Sequence, residues 1–105
     1  KNLIRWTLMD RAVLVGGTED CHVKLPSLNT EAFVIRLAKD IFWIEPAPSE
    51  NRAKVLIGEE VLEGARPLLH NEKIFVDGKE FLYYQLTSFE ELWMWDDELD
   101  ERELP

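Results

Sequence analysis

The sequence predicts an all-β fold in which eight or more short strands form a sandwich or a small barrel within a single domain. Short runs of β-branched and aromatic residues alternate with turn-forming residues along the chain, a pattern typical of strands joined by turns. Asp77-Gly78 lies between two apolar runs and is a dipeptide that two-residue hairpin turns favour. No long helical period interrupts this pattern in the first 86 residues, and a length of 105 residues suits one domain.

Each predicted strand is a run of about four to eight residues bounded by turn formers. In chain order, the predicted strands span residues 3–8, 12–15, 22–25, 32–37, 41–45, 54–57, 73–76 and 79–86. Several alternate with a period of two, so that Phe33 and Ile35 share one face while Val34 lies on the other. Short strands at this spacing are expected to pack as two layers around one apolar core.

Acidic residues are concentrated at the end of the chain. Residues 87–105 hold eight acidic side chains and one basic one, whereas the other 86 residues hold 13 acidic and 11 basic. This change in charge predicts a boundary between a body, residues 1–86, and an acidic tail, residues 87–105. Ser88 followed by Glu91 has the spacing of a capping box, which predicts a short helix from about Phe89.

The net charge of −9 argues against nucleic acid as a partner, because that binding needs a positive surface. No apolar run approaches the roughly 20 residues that span a bilayer, so we expect no membrane insertion within this stretch. Cys21 is the single cysteine, which excludes an internal disulfide and fits a reducing, cytoplasmic compartment. Because the chain begins at Lys1, we expect it to be part of a larger protein.

Residues that often carry catalysis are few and scattered. Cys21 and His22 are adjacent, so on a strand they point to opposite faces and do not form a dyad. His70 is remote in sequence, and a zinc site needs several converging ligands. We therefore expect no enzyme, no metal site and no cofactor.

The predicted tail contains large apolar side chains that have two interpretations. Phe89, Leu92 and Trp93 follow helical spacing, and Trp95 lies just beyond them. In the first interpretation the helix packs on the sandwich and the remainder is a linker. In the second, these side chains bind in a groove of a partner protein.

The order of strands and turns resembles that of a forkhead-associated (FHA) domain. The opening strand and turn of that family correspond to residues 12–17 (AVLVGG), the next strand to 22–26 (HVKLP), and the phosphopeptide loop with its following strand to 29–35 (NTEAFVI). Its strand, Asn-Gly, strand segment corresponds to 54–61 (KVLIGEEV), and its closing hairpin to 69–76 (LHNEKIFV) with Phe81 and Tyr83. The resemblance covers most of residues 12–86 and implies an FHA-like sandwich of about eleven short strands.

The residues with which that family grips phosphothreonine are replaced here. Gly17 stands for an arginine, Asn29 for the serine, Thr30 for a second arginine, Ala32 for the histidine and Ile57 for the asparagine, and Gly58 alone is retained. A phosphate group carries close to two negative charges and needs charge-assisted donors such as arginine. The resemblance therefore implies a retained scaffold with a lost phosphate pocket.

These observations predict a non-catalytic protein-interaction or scaffold module that binds without phosphate. The predicted binding edge is formed by the loops that contain Gly16, Gly17, Asn29, Thr30, Ile57 and Gly58, and the tail residues Phe89, Leu92, Trp93 and Trp95 form a second candidate surface. The expected partners are other protein subunits, with self-association as an alternative.

The resemblance further implies the cytoplasmic domain of a larger membrane assembly, because degenerate FHA-like domains occur in inner-membrane components of bacterial secretion systems. Two alternatives remain open at this point. One is a phosphothreonine reader in which Arg5 or Arg11 replaces the missing cations. The other is a carbohydrate-binding sandwich that uses exposed tryptophans.

Overall fold

The computed structural model describes the backbone of residues 2–8, 12–25, 28–85 and 90–96. Over these residues the chain forms eleven strands and no helix. The strands are β1 (Asn2–Leu8), β2 (Val13–Gly16), β3 (Val23–Lys24), β4 (Glu31–Ala38), β5 (Ile41–Pro46), β6 (Val55–Ile57), β7 (Glu60–Val61), β8 (Arg66–Pro67), β9 (Lys73–Val76), β10 (Lys79–Gln85) and β11 (Glu90–Asp96).

The strands form two sheets. One sheet has six strands in the order β1-β11-β10-β9-β6-β7, and the other has five in the order β3-β2-β4-β5-β8. Neighbouring strands are antiparallel except β2 and β3, which are parallel. The predicted all-β sandwich of about eleven strands is therefore confirmed.

Inward-facing residues of the longer strands fill the space between the two sheets. Phe33 and Ile35 of β4 are fully buried, as are Ile74 of β9 and Phe81 of β10. The Phe33 and Phe81 rings meet edge to face, with their centroids 5.6 Å apart and their planes at 87°. That geometry is favourable for two aromatic quadrupoles, and this contact joins the two sheets.

The C-terminal part of the described chain belongs to this sandwich. Strand β11 lies between β1 and β10, and its Leu92 is opposite both Trp6 and Tyr83. The helix predicted from about Phe89 is wrong for Glu90–Asp96, because pairing with a strand on each side overrides a weak local helical signal. The sandwich thus extends to Asp96, beyond the boundary predicted at residue 86, whereas Ser88 and Phe89 lie outside the described residues.

The β9–β10 hairpin has the turn that the sequence predicts. Asp77 has a φ of 45° and Gly78 a φ of 82°, as the two central residues of a type I′ turn require. The β4–β5 hairpin turns in the same way through Lys39 and Asp40, whose φ values are 55° and 63°. These tight turns fix the register of the strands that they join.

Replacement of Gly78 by alanine is expected to lower the free energy of unfolding by about 1–2 kcal/mol, since a β-carbon is unfavourable at positive φ. Urea denaturation of the purified domain measures this loss. Gly78→Asn is the control, because asparagine tolerates the left-handed region better than alanine. Equal stability of the alanine variant and the parent would contradict the assigned turn.

Candidate functional site

A groove of about 530 Å³ opens where the β9–β10 turn meets the loop that precedes β4. Residues 28–30 of that loop line it on one side, and Asp77 and Gly78 on the other. Residues 53–54, which precede β6, complete the rim. Leu56 and Phe75 also line the groove, and they lie opposite each other in β6 and β9. The volume is within the usual range for a binding pocket, roughly 300–1,000 Å³.

Two backbone hydrogen bonds bring the loops at this end together. The Gly17 N–H donates to the Thr30 carbonyl at 2.8 Å, and the Ala53 N–H donates to the Glu31 carbonyl at 2.8 Å. The loop after β2, the loop before β4 and the loop before β6 are thereby held side by side. Four of the predicted site residues, Gly16, Gly17, Asn29 and Thr30, consequently lie at one end of the sandwich.

The two glycines at the end of β2 make a very close approach to the neighbouring loop. A β-carbon at Gly17 would lie 1.8 Å from the Leu28 carbonyl oxygen, and one at Gly16 would lie 2.6 Å from the Glu31 α-carbon. Both distances are far below van der Waals contact. Position 17 therefore has no room for any side chain while this packing is kept.

Ile57 and Gly58 do not lie at this end. Ile57 is buried in the core and lies opposite Ile74. The Gly58 N–H donates to the Lys73 carbonyl at 2.9 Å, which places the β6–β7 turn at the far end of β6 from Ala53. Ala32, aligned with the histidine of the FHA family, is fully buried as well.

Two of the predicted tail contact residues, Leu92 and Trp93, lie on opposite faces of β11. Leu92 is fully buried in the core, so its predicted role as a partner contact is wrong. Trp93 is half-buried on the opposite face of the strand. The side chain of Trp95 and the whole of Phe89 lie outside the described residues, so their roles stay predictions.

The groove lining carries balanced charge. Of its described residues, Lys54 provides the positive charge and Asp77 the negative one. Val55 lies opposite Val76, so Lys54 and Asp77 are the next positions along the two antiparallel strands. Close by, Arg52 donates a hydrogen bond from Nη1 to the Ser49 carbonyl at 3.3 Å within its own loop. The groove thus lacks the excess of positive charge that a dianion requires.

The lining residues Lys54, Leu56, Phe75 and Asp77 were not among the predicted site residues. Their signal in the sequence is indirect: Asp77-Gly78 fixes a hairpin, and Leu56 and Phe75 alternate with residues of the core. Period-two alternation therefore places both side chains on the outer face of the six-stranded sheet. The proximity of residues 28–30 to this face depends on tertiary packing.

Cysteine and histidine side chains of the described chain have structural roles. The His22 imidazole Nδ1 accepts the Leu14 N–H at 3.0 Å, while the His22 N–H donates to the Leu14 carbonyl at 2.8 Å. Cys21 is buried, with Sγ 3.3 Å from the Thr18 hydroxyl. Within the described residues, no three His, Cys, Asp or Glu side chains group as a metal site would require.

Comparison with family models finds no match, and no curated protein matches the chain. The FHA-2 domain of the Mycobacterium tuberculosis ABC transporter Rv1747 is similar in structure, with a TM-score of 0.63 at 14% identity over 86% of this chain and 79% of that one. The N-terminal FHA domain of EssC, a component of the bacterial type VII secretion apparatus, gives 0.64 at 11% identity over 90% of this chain. This chain spans about half, 48%, of that EssC chain.

These likenesses confirm the predicted FHA-like fold, with a sequence far from those of both solved domains. The side chains of Arg5 and Arg11, which an alternative phosphate site would need, lie outside the described ones. Over residues 2–8, 12–25, 28–85 and 90–96, no helix is long and apolar enough to cross a membrane.

Proposed function

We propose that this FHA-like domain is a non-catalytic protein-interaction module that binds its partner at the groove end of the sandwich without phosphate. The observation that carries the proposal is the packing at Gly17, where a side chain has no room. The arginine that the family resemblance places there could be restored only by moving the loop of Leu28. The FHA-like scaffold and its groove are present, but glycine occupies the position of that arginine.

The polar groups at this end are too weak to hold a dianion. Asn29 and Thr30 offer neutral hydrogen bonds, each contributing about 0.5–1.5 kcal/mol, against about 1.5–3 kcal/mol for a bond to a charged group. Lys54 is offset by Asp77 in the same groove. The net charge of −9 adds a long-range repulsion towards a phosphopeptide.

The two similar structures support a place in a larger assembly. Their source proteins are a transporter and a secretion component, and we propose that this domain occupies a cytoplasmic position in a larger assembly, with a neighbouring protein subunit as its partner. The single thiol, Cys21, is consistent with a reducing compartment. Rigid strands that present adjacent loops are a common platform for such contacts.

Phosphate independence is tested with a phosphothreonine peptide library and its unphosphorylated counterpart, titrated into the isotope-labelled domain and followed by NMR. We expect phosphorylation to change affinity by less than about twofold, because the described lining of the groove has no excess of positive charge. Micromolar binding that disappears on treatment with phosphatase would overturn this part of the proposal.

The location of the site is tested by capture of crosslinked partners from the source cells. The double variant Asn29→Ala, Lys54→Ala removes two polar groups from the rim and is expected to reduce recovery of a specific partner at least about fivefold. Lys39→Ala is the matched control, because that exposed lysine lies in the β4–β5 turn at the other end of β4. Equal recovery by parent and double variant would remove the groove as the contact.

A further inference from the structure

An apolar strip crosses three strands on the outer face of the six-stranded sheet. It consists of Val61, Leu56 and Phe75, which lie directly opposite one another in β7, β6 and β9. The neighbours of the strip along the chain, Ile57 and Ile74, are buried in the core. Alternation therefore turns all three strip residues away from the core.

The strip remains accessible. Val61 is 46% exposed on the short edge strand β7, and Leu56 and Phe75 are half-buried. Cross-strand neighbours are in contact range, so the three side chains form one continuous apolar surface. Because Leu56 and Phe75 also line the groove, the strip extends the groove from the loop end to the sheet edge. Continuous apolar surface of this kind commonly marks a binding site.

Carboxylates border both ends of the strip. Beside Val61, Glu59 and Glu63 are exposed, whereas Glu60 lies opposite the core residue Ile57 and so belongs to the other face. At the other end, Glu80 lies opposite Phe75. Two lysines, Lys54 and Lys73, lie two positions from Leu56 and Phe75 along the strands. The border glutamates outnumber these lysines, so the border is acidic.

We infer that the strip binds an unphosphorylated segment of another protein in which apolar side chains are flanked by lysine or arginine. The inference rests on the proposed function that this domain binds proteins. Apolar side chains would cover Leu56 and Phe75, and the flanking cations would face the glutamates at the two ends. A second copy of this chain fits less well, because a two-fold contact through Val61 would bring the Glu59 and Glu63 carboxylates of the two copies together.

The probe is a synthetic 12-residue peptide with a Leu-Phe-Val centre and two lysines on each side. A second peptide with glutamates in place of the lysines is matched in length and apolar content. Titration into the ¹⁵N-labelled domain is expected to shift the amide signals of Leu56, Val61 and Phe75 with the lysine peptide, which binds at least about tenfold more tightly than the glutamate peptide. Equal affinities, or shifts elsewhere on the domain, would overturn the inference.

A pair of single substitutions locates the contact. Val61→Glu is expected to weaken the lysine peptide at least about tenfold, because it interrupts the apolar surface. Ile41→Glu is the matched control, since Ile41 is similarly exposed at 44% but lies in β5 of the other sheet. A similar loss in both variants would indicate non-specific apolar binding and contradict the strip as the site.

A charge-reversal variant keeps the test independent of any effect of Val61→Glu on folding. Glu63→Lys combined with Glu80→Lys changes two surface residues at opposite ends of the strip and is expected to reverse the preference between the two peptides. An unchanged preference would overturn the inference. If both peptides shift only residues 28–30, the inference fails while the proposed function stands. If neither peptide binds the strip and the groove variant recovers as much partner as the parent, both proposals fail.

Discussion

Replacement of Gly17 by alanine is expected to lower the free energy of unfolding by about 2–4 kcal/mol. Overpacking a close contact costs about 1–3 kcal/mol, and loss of a backbone hydrogen bond adds about 0.5–1.5 kcal/mol. Both apply here, because the new β-carbon would lie 1.8 Å from the Leu28 carbonyl oxygen. The loops must then separate, which breaks the bond from the Gly17 N–H to the Thr30 carbonyl. Urea denaturation followed by tryptophan fluorescence measures the loss.

Gly64→Ala is the control for this substitution. A β-carbon at Gly64 would meet no other atom within 4 Å, so we expect a change within about 0.5 kcal/mol. If Gly17→Ala is as stable as Gly64→Ala, the loops of Gly17 and Leu28 do not pack as described. The proposed phosphate-independent binding would then lose its structural basis too.

Replacement of Leu92 by alanine is expected to cost about 2–5 kcal/mol of stability, the usual range for a large side chain removed from a core. Leu92 is fully buried, and it lies opposite Trp6 in β1 and Tyr83 in β10. The cavity would therefore open at a position shared by three strands. Denaturant midpoints of the purified variant and the parent domain give the difference.

Leu69→Ala is the matched control, because it removes the same atoms from a side chain that is 58% exposed. We expect it to change stability by less than about 0.5 kcal/mol. A much larger loss for Leu92→Ala than for Leu69→Ala is the result expected if Leu92 lies in the core and not in a tail outside the sandwich. Equal costs for the two leucines would contradict the position of β11 within the sheet.

Much of the fold could be predicted because eight of the eleven strands carry their own local pattern. In β4, for example, Phe33 and Ile35 alternate with Val34, so they share one face of the strand. In the same way, Asp77 and Gly78 predict the turn of the β9–β10 hairpin. Strands β3, β7 and β8 have two residues each, too few to show any period, and β3 was predicted only because it lies within the longer run 22–25. They exist because longer neighbours offer them hydrogen-bonding partners.

Strand β11 was mistaken for a helix for a different reason. The apolar residues Leu92 and Trp93 fit both a helical and a strand period. The capping-box spacing of Ser88 and Glu91 therefore favoured a helix in the prediction. The alternation becomes clear only when Trp6 and Tyr83 are found on either side of Leu92. That information is tertiary and absent from any local window.

The candidate site was predictable in part. The family resemblance grouped Gly16 and Gly17 with Asn29 and Thr30, and the hydrogen bond from Gly17 to Thr30 places their loops side by side. Ile57 was placed with them by family resemblance, although it lies in the core. Which end of β6 meets the other loops depends on register, and register comes from pairing across the sheet.

The pairing of β1 with β11 also constrains when this domain can reach its final structure during synthesis. Asn2 lies opposite Asp96, and Leu8 opposite Glu90, so the first strand of the described chain is held by the last. A ribosome must therefore release residues 90–96 before β1 can be placed in its sheet. Such long-range closure makes folding slow, because the loop between the paired ends must close before their contacts form.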